Sequence, residues 1–279
     1  GLRQLVDLRF YEPYFLDSDF SASLDLFDQL RIFNDFSEST RGGSLTFGYP
    51  IVDPELSASI AYTAELDEVS TQTTSTFLGQ TGSVSVSRQL PLANLFNDGF
   101  TSSVRPALTY DTRDNIFTPL RGTFVEALVG VFSPVLGGDD EFERVQLVAI
   151  QYVPLVPTLY LGLRGDAAAV FGDAPFYLKP FVSLRGAPIM RYQGNEAASI
   201  EAELRWQFWR RFSAIAFGGF GAAWNDFARF KAVTTVPTGG VGFRYEIARK
   251  YGINMGLDLA FGPDNTAVYV QVGSAWARP

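Results

Sequence analysis

The stretch Ile253-Asn254-Met255-Gly256-Leu257-Asp258-Leu259-Ala260-Phe261 decides how this chain is read. Ile253, Met255, Leu257, Leu259 and Phe261 fall on one side of an extended backbone, and Asn254, Gly256, Asp258 and Ala260 on the other. A period of two belongs to a strand whose two faces meet different surroundings. Gly262-Pro263-Asp264-Asn265 follows, and its Pro and Asn favour turn dihedrals. Alternation then resumes: Val268, Val270, Val272 and Trp276 share one face, opposite Tyr269, Gln271, Gly273 and Ala275. The chain therefore ends in an antiparallel hairpin.

Working back from this hairpin, the same grammar recurs. Val241, Phe243, Tyr245 and Ile247 oppose Gly240, Gly242, Arg244 and Glu246; Ile200, Ala202, Leu204, Trp206 and Phe208 oppose Glu201, Glu203, Arg205 and Gln207. Leu159, Leu161 and Leu163 oppose Tyr160, Gly162, Arg164 and Asp166, and Leu45, Phe47 and Tyr49 oppose Ser44, Thr46 and Gly48. Roughly thirteen such segments can be drawn, near 3–15, 20–32, 40–50, 56–69, 99–114, 122–133, 142–155, 158–172, 199–209, 212–224, 236–248, 252–261 and 266–276. The stretch from Ser70 to Gly82, rich in Thr, Ser and Gln, reads as a long surface loop, and Ser83–Leu92 as a loop strand or hairpin.

A soluble β protein also alternates, but it turns its apolar faces inward. Here the polar faces carry charges on strand after strand, mixed with Gly, Ala and Ser. Many segments reach about ten residues, the length a tilted strand needs to cross a bilayer. Tyr11, Tyr14, Phe15, Tyr110, Phe132 and Trp224 lie near strand ends, where interfacial aromatic girdles sit. The expected fold is all-β: an antiparallel transmembrane β-barrel with roughly 12–14 strands visible, one domain over residues 1–279. A helical crossing is excluded, because the most apolar region, Leu147 to Leu163, is broken by Gln151, Pro154 and Pro157.

Composition agrees with that reading. The chain carries 25 Phe, 12 Tyr, 4 Trp and 26 Gly among 279 residues, yet its mean hydropathy is only +0.07. Its apolar residues are thus spread out rather than blocked. A formal charge of −8 argues against nucleic acid, whose phosphates require a basic footprint. With no Cys and no His, disulfides, thiolate metal sites and the commonest general base are all missing. No cofactor and no metal are expected, and a Ser-His lipid hydrolase is ruled out. The paired carboxylates Glu201 and Glu203 are neighbours two apart on one strand face, with no substrate-shaped cleft to suggest acid–base chemistry. The Gly218-Gly219 and Gly239-Gly240 pairs lack the context of a phosphate loop. The chain does not read as an enzyme.

Four motifs carry a family resemblance. Tyr110-Asp111-Thr112-Arg113-Asp114-Asn115, with Phe117, Pro119 and Arg121-Gly122 behind it, is similar to a segment of the BamA/TamA superfamily, the bacterial surface-antigen family of outer-membrane assembly barrels. Leu184-Arg185-Gly186 resembles the tip of that family's sixth extracellular loop, here residues 173–198. Glu203-Leu204-Arg205 resembles the start of the following strand, and Glu12-Pro13-Tyr14-Phe15 the end of the family's fourth. The resemblance implies part of a barrel of about sixteen strands, without equivalents of the first three strands or of the POTRA repeats. It also implies a location in the bacterial outer membrane.

From the resemblance comes an expectation for each site residue. Arg185 should reach into the lumen, where the family pairs it with an Asp in a Phe-Val-Asp-x-Gly segment. The matching segment here is Phe217-Gly218-Gly219-Phe220-Gly221, so Gly219 stands in place of that Asp. Glu201 and Glu203, with Arg205 on the same face, are then the expected partners. Asp111, Arg113 and Asp114 form either a functional cluster or a charge network tying strand end to turn, the second being favoured. Val268, Val270, Val272 and Trp276 are the expected signal for outer-membrane insertion. The implied function is assistance in the assembly, export or anchoring of proteins at the outer membrane. Outer-membrane lipid, client or partner proteins and a second copy of the chain are the conceivable partners. The competing reading is a passive pore or structural barrel.

Overall fold

The computed structural model describes residues 2–32, 36–70, 72–77, 80–85, 99–225 and 235–276. The strands are β1 (Leu2–Glu12), β2 (Ser21–Ile32), β3 (Ser37–Val52), β4 (Leu56–Ser70), β5 (Gln72–Phe77), β6 (Gln80–Ser85), β7 (Gly99–Asp111), β8 (Gly122–Phe132), β9 (Phe142–Val156), β10 (Leu159–Gly172), β11 (Glu196–Trp209), β12 (Phe212–Trp224), β13 (Thr235–Ala248), β14 (Ile253–Phe261) and β15 (Thr266–Val272). Thirteen of them form one sheet in chain order, β1-β2-β3-β4-β7 and on to β15. Each strand is antiparallel to the next, as short connections between neighbours require. In this order β1 and β15 are the two ends of the sheet and not each other's neighbours.

Alternation decides which face meets lipid. On β11 and β14, Ile200, Trp206 and Leu257 are 63%, 54% and 55% exposed, whereas Glu201 and Asp258 keep 3% and 1%. The apolar side chains are thus outside and the charged ones inside, the inverse of a soluble fold. An outer wall this apolar would not persist in water, but it matches hydrocarbon, and the wall is that of a transmembrane β-barrel. No helix among the described residues is long and apolar enough to cross a membrane. The crossing is made by strands, whose polar backbone groups satisfy one another across the ladder.

The sheet curls until distant strands meet across its inner side. Asn115 Nδ2, in the turn after β7, donates to Tyr251 O (2.8 Å) between β13 and β14, and Ser274 N donates to Phe117 O (2.5 Å). Four departures from the sequence reading stand out. β5 (Gln72–Phe77) and β6 (Gln80–Ser85) pair with each other where a loop was expected, and 78–79 and 86–92 lie outside the described residues. β3 and β11 begin about three residues earlier than their alternation suggested, at Ser37 and Glu196. Phe132 is not a girdle residue: it points into the lumen and stacks on Phe142 at 4.0 Å between ring centroids. Trp276 does not share the outer face of Val268, Val270 and Val272. β15 stops at Val272, and Gly273 takes φ +81°, which bends the chain inward.

Candidate functional site

The connection between β10 and β11 does not stand out into solvent. Its two legs zip together through Val182 N to Tyr192 O (3.0 Å) and Gly194 N to Pro180 O (3.1 Å), with a bridge between Phe181 and Gln193. Apolar contacts then fix the finger in the mouth of the sheet. Tyr177 and Met190 pack with Phe36 and Val69 at the outer ends of β3 and β4, and Val182, Leu184 and Ala187 pack with Val236 of β13. The deepest part of the finger is Leu184-Arg185-Gly186.

Arg185 is 8% exposed and meets three carboxylates from two strands. Its Nε donates to Glu201 Oε1 (2.6 Å), and a second nitrogen pairs with the same oxygen. Its Nη1 lies 2.7 Å from Glu203 Oε2 and 3.1 Å from Asp258 Oδ2. The guanidinium also lies over the Phe217 ring, 3.7 Å from its centroid. Burial works against a charged guanidinium, but Glu203, Glu201 and Asp258 outweigh it and hold Arg185 above the ordinary arginine value. The rigid fork of arginine suits such a set of acceptors, whereas a lysine would reach fewer.

Asp258 is shared. Arg244 of β13 grips it in a fork, Nη1 to Oδ1 at 2.5 Å and Nη2 to Oδ2 at 2.8 Å. Three carboxylates therefore face two guanidiniums. Arg205, two residues beyond Glu203 on the same face, is held by Ser213 Oγ rather than by Arg185's partners. The chain after Arg185 is pinned too: Gly186 N donates to Tyr269 Oη of β15 (3.1 Å), and Gly186 has φ +92° with its α-carbon against the Phe261 backbone. A side chain there would collide with that backbone.

Gly219 now has a physical role. A Cβ built on it would lie 2.5 Å from Ile200 O and 3.0 Å from a Leu184 methyl. The place where the family resemblance puts a carboxylate is thus occupied by Leu184, and Asp258, three strands from the finger's root, supplies the third anion. Sequence reasoning missed Asp258 as a partner. The available signal was a lone carboxylate on an inner face otherwise made of Asn254, Gly256 and Ala260, beside Arg244 on the next strand.

The other sequence-selected residues lie apart from this cluster. Arg113 forks onto Asp111 (2.9 and 2.7 Å) and covers the Phe124 ring at 4.5 Å, and Asp114 Oδ1 accepts Leu120 N and Arg121 N. These bonds tie a strand end to its turn. Trp276 is seated inside the sheet with Phe124, Val148, Ile150 and Tyr152, directly over Gly162, where any side chain would collide with the indole. Tyr152 Oη and Ser274 Oγ lie 3.1 Å apart and fasten the same tail.

Comparison with known proteins agrees with this architecture. Residues 1–266 match the Omp85 superfamily domain. The chain belongs to the Omp85 superfamily. By sequence, no curated protein matches it. Among solved structures it is similar to BamA from Haemophilus ducreyi lacking POTRA domains 1–3, at 16% identity and a TM-score of 0.68. That match covers 96% of this chain and 60% of the BamA chain, so this chain spans less than two thirds of its relative. Membership of the Omp85 superfamily places the protein in the bacterial outer membrane.

Proposed function

We propose that this Omp85 barrel assists the assembly, export or anchoring of proteins at the outer membrane, with the finger around Arg185 as its internal gate. The observation that carries the reading is the buried ion cluster. Burying three carboxylates and two guanidiniums rarely improves stability over an apolar core of the same volume. Its value lies in fixing one arrangement of a segment that can also leave it. The finger ties β11, β14 and β15 together, so withdrawing it would loosen the last strands of the sheet at once. Beside β1–β4 the sheet leaves an open cavity of about 1010 Å³ of mixed character, lined among others by Ser21, Ser23, Thr46, Tyr11, Tyr14 and Tyr49. That is room for an extended polypeptide.

A passive pore is the competing reading, and the finger argues against it. Its tip lies across the inner face, with Arg185 bonded to Glu201 of β11 and Asp258 of β14 and Gly186 to Tyr269 of β15. The deciding experiment reconstitutes the chain in vesicles and follows the folding of an unfolded outer-membrane barrel added from outside. Faster client insertion than into empty vesicles, slowed by Arg185→Ala, is the expected result. No acceleration together with a large, steady, ungated conductance in planar bilayers would establish the pore instead.

A further inference from the structure

We propose that the outer face of β11–β13 holds an anionic phospholipid of the periplasmic leaflet, with its phosphate on Arg210, Arg211 and Lys250 and one acyl chain along β12. The finger occupies the opposite end of the sheet, and the two-residue turn 210–211 between β11 and β12 belongs to the short periplasmic set. The turn between β13 and β14, residues 249–252, is its neighbour, since Glu246 N donates to Arg211 O (2.9 Å). Together the two turns carry Arg210, Arg211, Arg249 and Lys250. Arg249 faces Glu246 at 3.4 Å, whereas Arg210, Arg211 and Lys250 make no ion pair among the described residues. In a chain of net charge −8 this concentration is local. The turns at 13–20 and 53–55 carry Asp17, Asp19, Asp53 and Glu55 and no Lys or Arg. One side of the periplasmic rim is thus acidic and the other basic.

Against the cations lies an aromatic collar. The Arg210 guanidinium is 5.6 Å from the Trp209 ring centroid, and Trp209 stacks on Phe212 at 5.4 Å. Phe212 in turn meets Phe243 and Tyr245 of β13 at 5.6 and 5.1 Å, and Lys250 Nζ lies 5.6 Å from the Tyr251 ring. An aromatic face takes none of a guanidinium's N–H donors, so they stay free for phosphate oxygens. An acidic soluble partner would use the cations but not the collar, whose rings suit the interfacial level of a bilayer. Beyond the collar, cross-strand register gives the outer face of β12 a groove. Its floor is Ala214, Ala216 and Gly218, with Leu204 and Trp206 of β11 on one wall and Val241 and Phe243 of β13 on the other. The groove opens into an apolar cavity of about 600 Å³, lined among others by Leu163, Ile200, Gly218 and Phe220. From Phe212 to Gly218 the strand rises about 20 Å, which at a tilt of about 40° is about 15 Å of depth, half of the hydrocarbon core. The cavity therefore sits near the bilayer centre, where an acyl chain rooted at the turns would end.

The test inserts the full chain into phosphatidylcholine vesicles containing brominated phosphatidylglycerol, whose bromines quench the emission of Trp206 and Trp209. Stronger quenching is expected than from the same fraction of brominated phosphatidylcholine, and the difference should shrink as salt rises. Combining Arg210→Gln, Arg211→Gln and Lys250→Gln, all in turns, should lower that preference at least about ten-fold. A Cβ built on Gly218 would meet only Thr238 O, at 3.6 Å, so Gly218→Leu fits and fills the groove. It should weaken the long-chain lipid and leave a short-chain phosphatidylglycerol bound as before. Glycerol phosphate, the headgroup without chains, should not displace the brominated lipid. Equal quenching by the two lipids, an unchanged preference in the triple variant, or full displacement by glycerol phosphate would overturn the site and leave a solvated basic rim.

Discussion

Asp258→Asn isolates the centre of the ion cluster with almost no change in volume. The wild-type carboxylate accepts two bonds from Arg244 (2.5 and 2.8 Å) and one from Arg185 (3.1 Å). An amide keeps one acceptor oxygen and turns an N–H₂ toward a guanidinium. Arg185 would still hold Glu201 and Glu203, but Arg244, 2% exposed, would lose its anionic partner and keep at most one neutral amide oxygen beside the carbonyls of Phe243 (3.2 Å) and Leu257 (3.5 Å). Removing one partner of a buried pair costs about 3–5 kcal/mol, or roughly two to three and a half powers of ten in the folding constant. Glu203→Gln should cost less than Asp258→Asn, because Glu203 meets Arg185 through a single contact whereas Asp258 is shared by two guanidiniums. Adding Arg244→Met to Asp258→Asn removes the orphaned charge, so the double variant should recover much of the loss. The assay is urea unfolding of vesicle-inserted protein, followed by tryptophan emission and gel mobility. Equal costs for Asp258→Asn and Glu203→Gln, or strict additivity in the double variant, would refute the idea that the cluster is buried and coupled.

Three further substitutions probe the fold around it. Gly219→Asp restores the residue expected from the family resemblance, yet it should destabilise by about 1–3 kcal/mol through overpacking against Leu184 and Ile200 O; a variant as stable as wild type would mean that Leu184 does not fill that place. Trp276→Ala should cost about 3–5 kcal/mol by emptying the pocket among Phe124, Val148, Ile150 and Tyr152, whereas Val272→Ala on the outer face should cost far less, and matching losses would place the indole elsewhere. Leu257→Arg should cost about 2–4 kcal/mol if Leu257 lies near the bilayer midplane; a cost under about 1 kcal/mol would remove it from the hydrocarbon.

Much of the wall was legible because a period of two reports a real asymmetry. Trp206 and Leu257 meet lipid, and Glu201 and Asp258 meet the lumen, so each strand carries its own orientation. What failed was extrapolation past points where the backbone changes course. Counting by twos from Val272 puts Trp276 outside, but Gly273 at φ +81° turns the chain before Trp276 is reached. Phe132 suggested a girdle because aromatic residues at strand ends often are girdles, yet the parity it shares with Phe124 already pointed inward. The hairpin β5–β6 was hidden by its polarity. Gln72-Thr73-Thr74-Ser75-Thr76 and Gln80-Thr81-Gly82-Ser83 hold no apolar residues to alternate, so the signal that revealed the wall was silent there.

The ion cluster shows why motif matching carried part of the site and not all of it. Glu201 and Glu203 could be named because they follow the finger directly and sit two apart on one inner face. Asp258 is 73 residues from Arg185, and nothing local relates them. What brings them together is curvature: a rolled sheet aims the inner faces of β11 to β14 at a common interior region. At such a point an arginine requires negative oxygen within reach, and the strand that supplies it is immaterial. It also requires space for the neighbouring residue on the finger. Gly219 gives Leu184 that space, and Asp258 returns the lost charge from the far side of the same point. The two positions are therefore a single solution distributed over two strands, and adding an Asp at Gly219 without displacing Leu184 would satisfy one requirement by breaking the other.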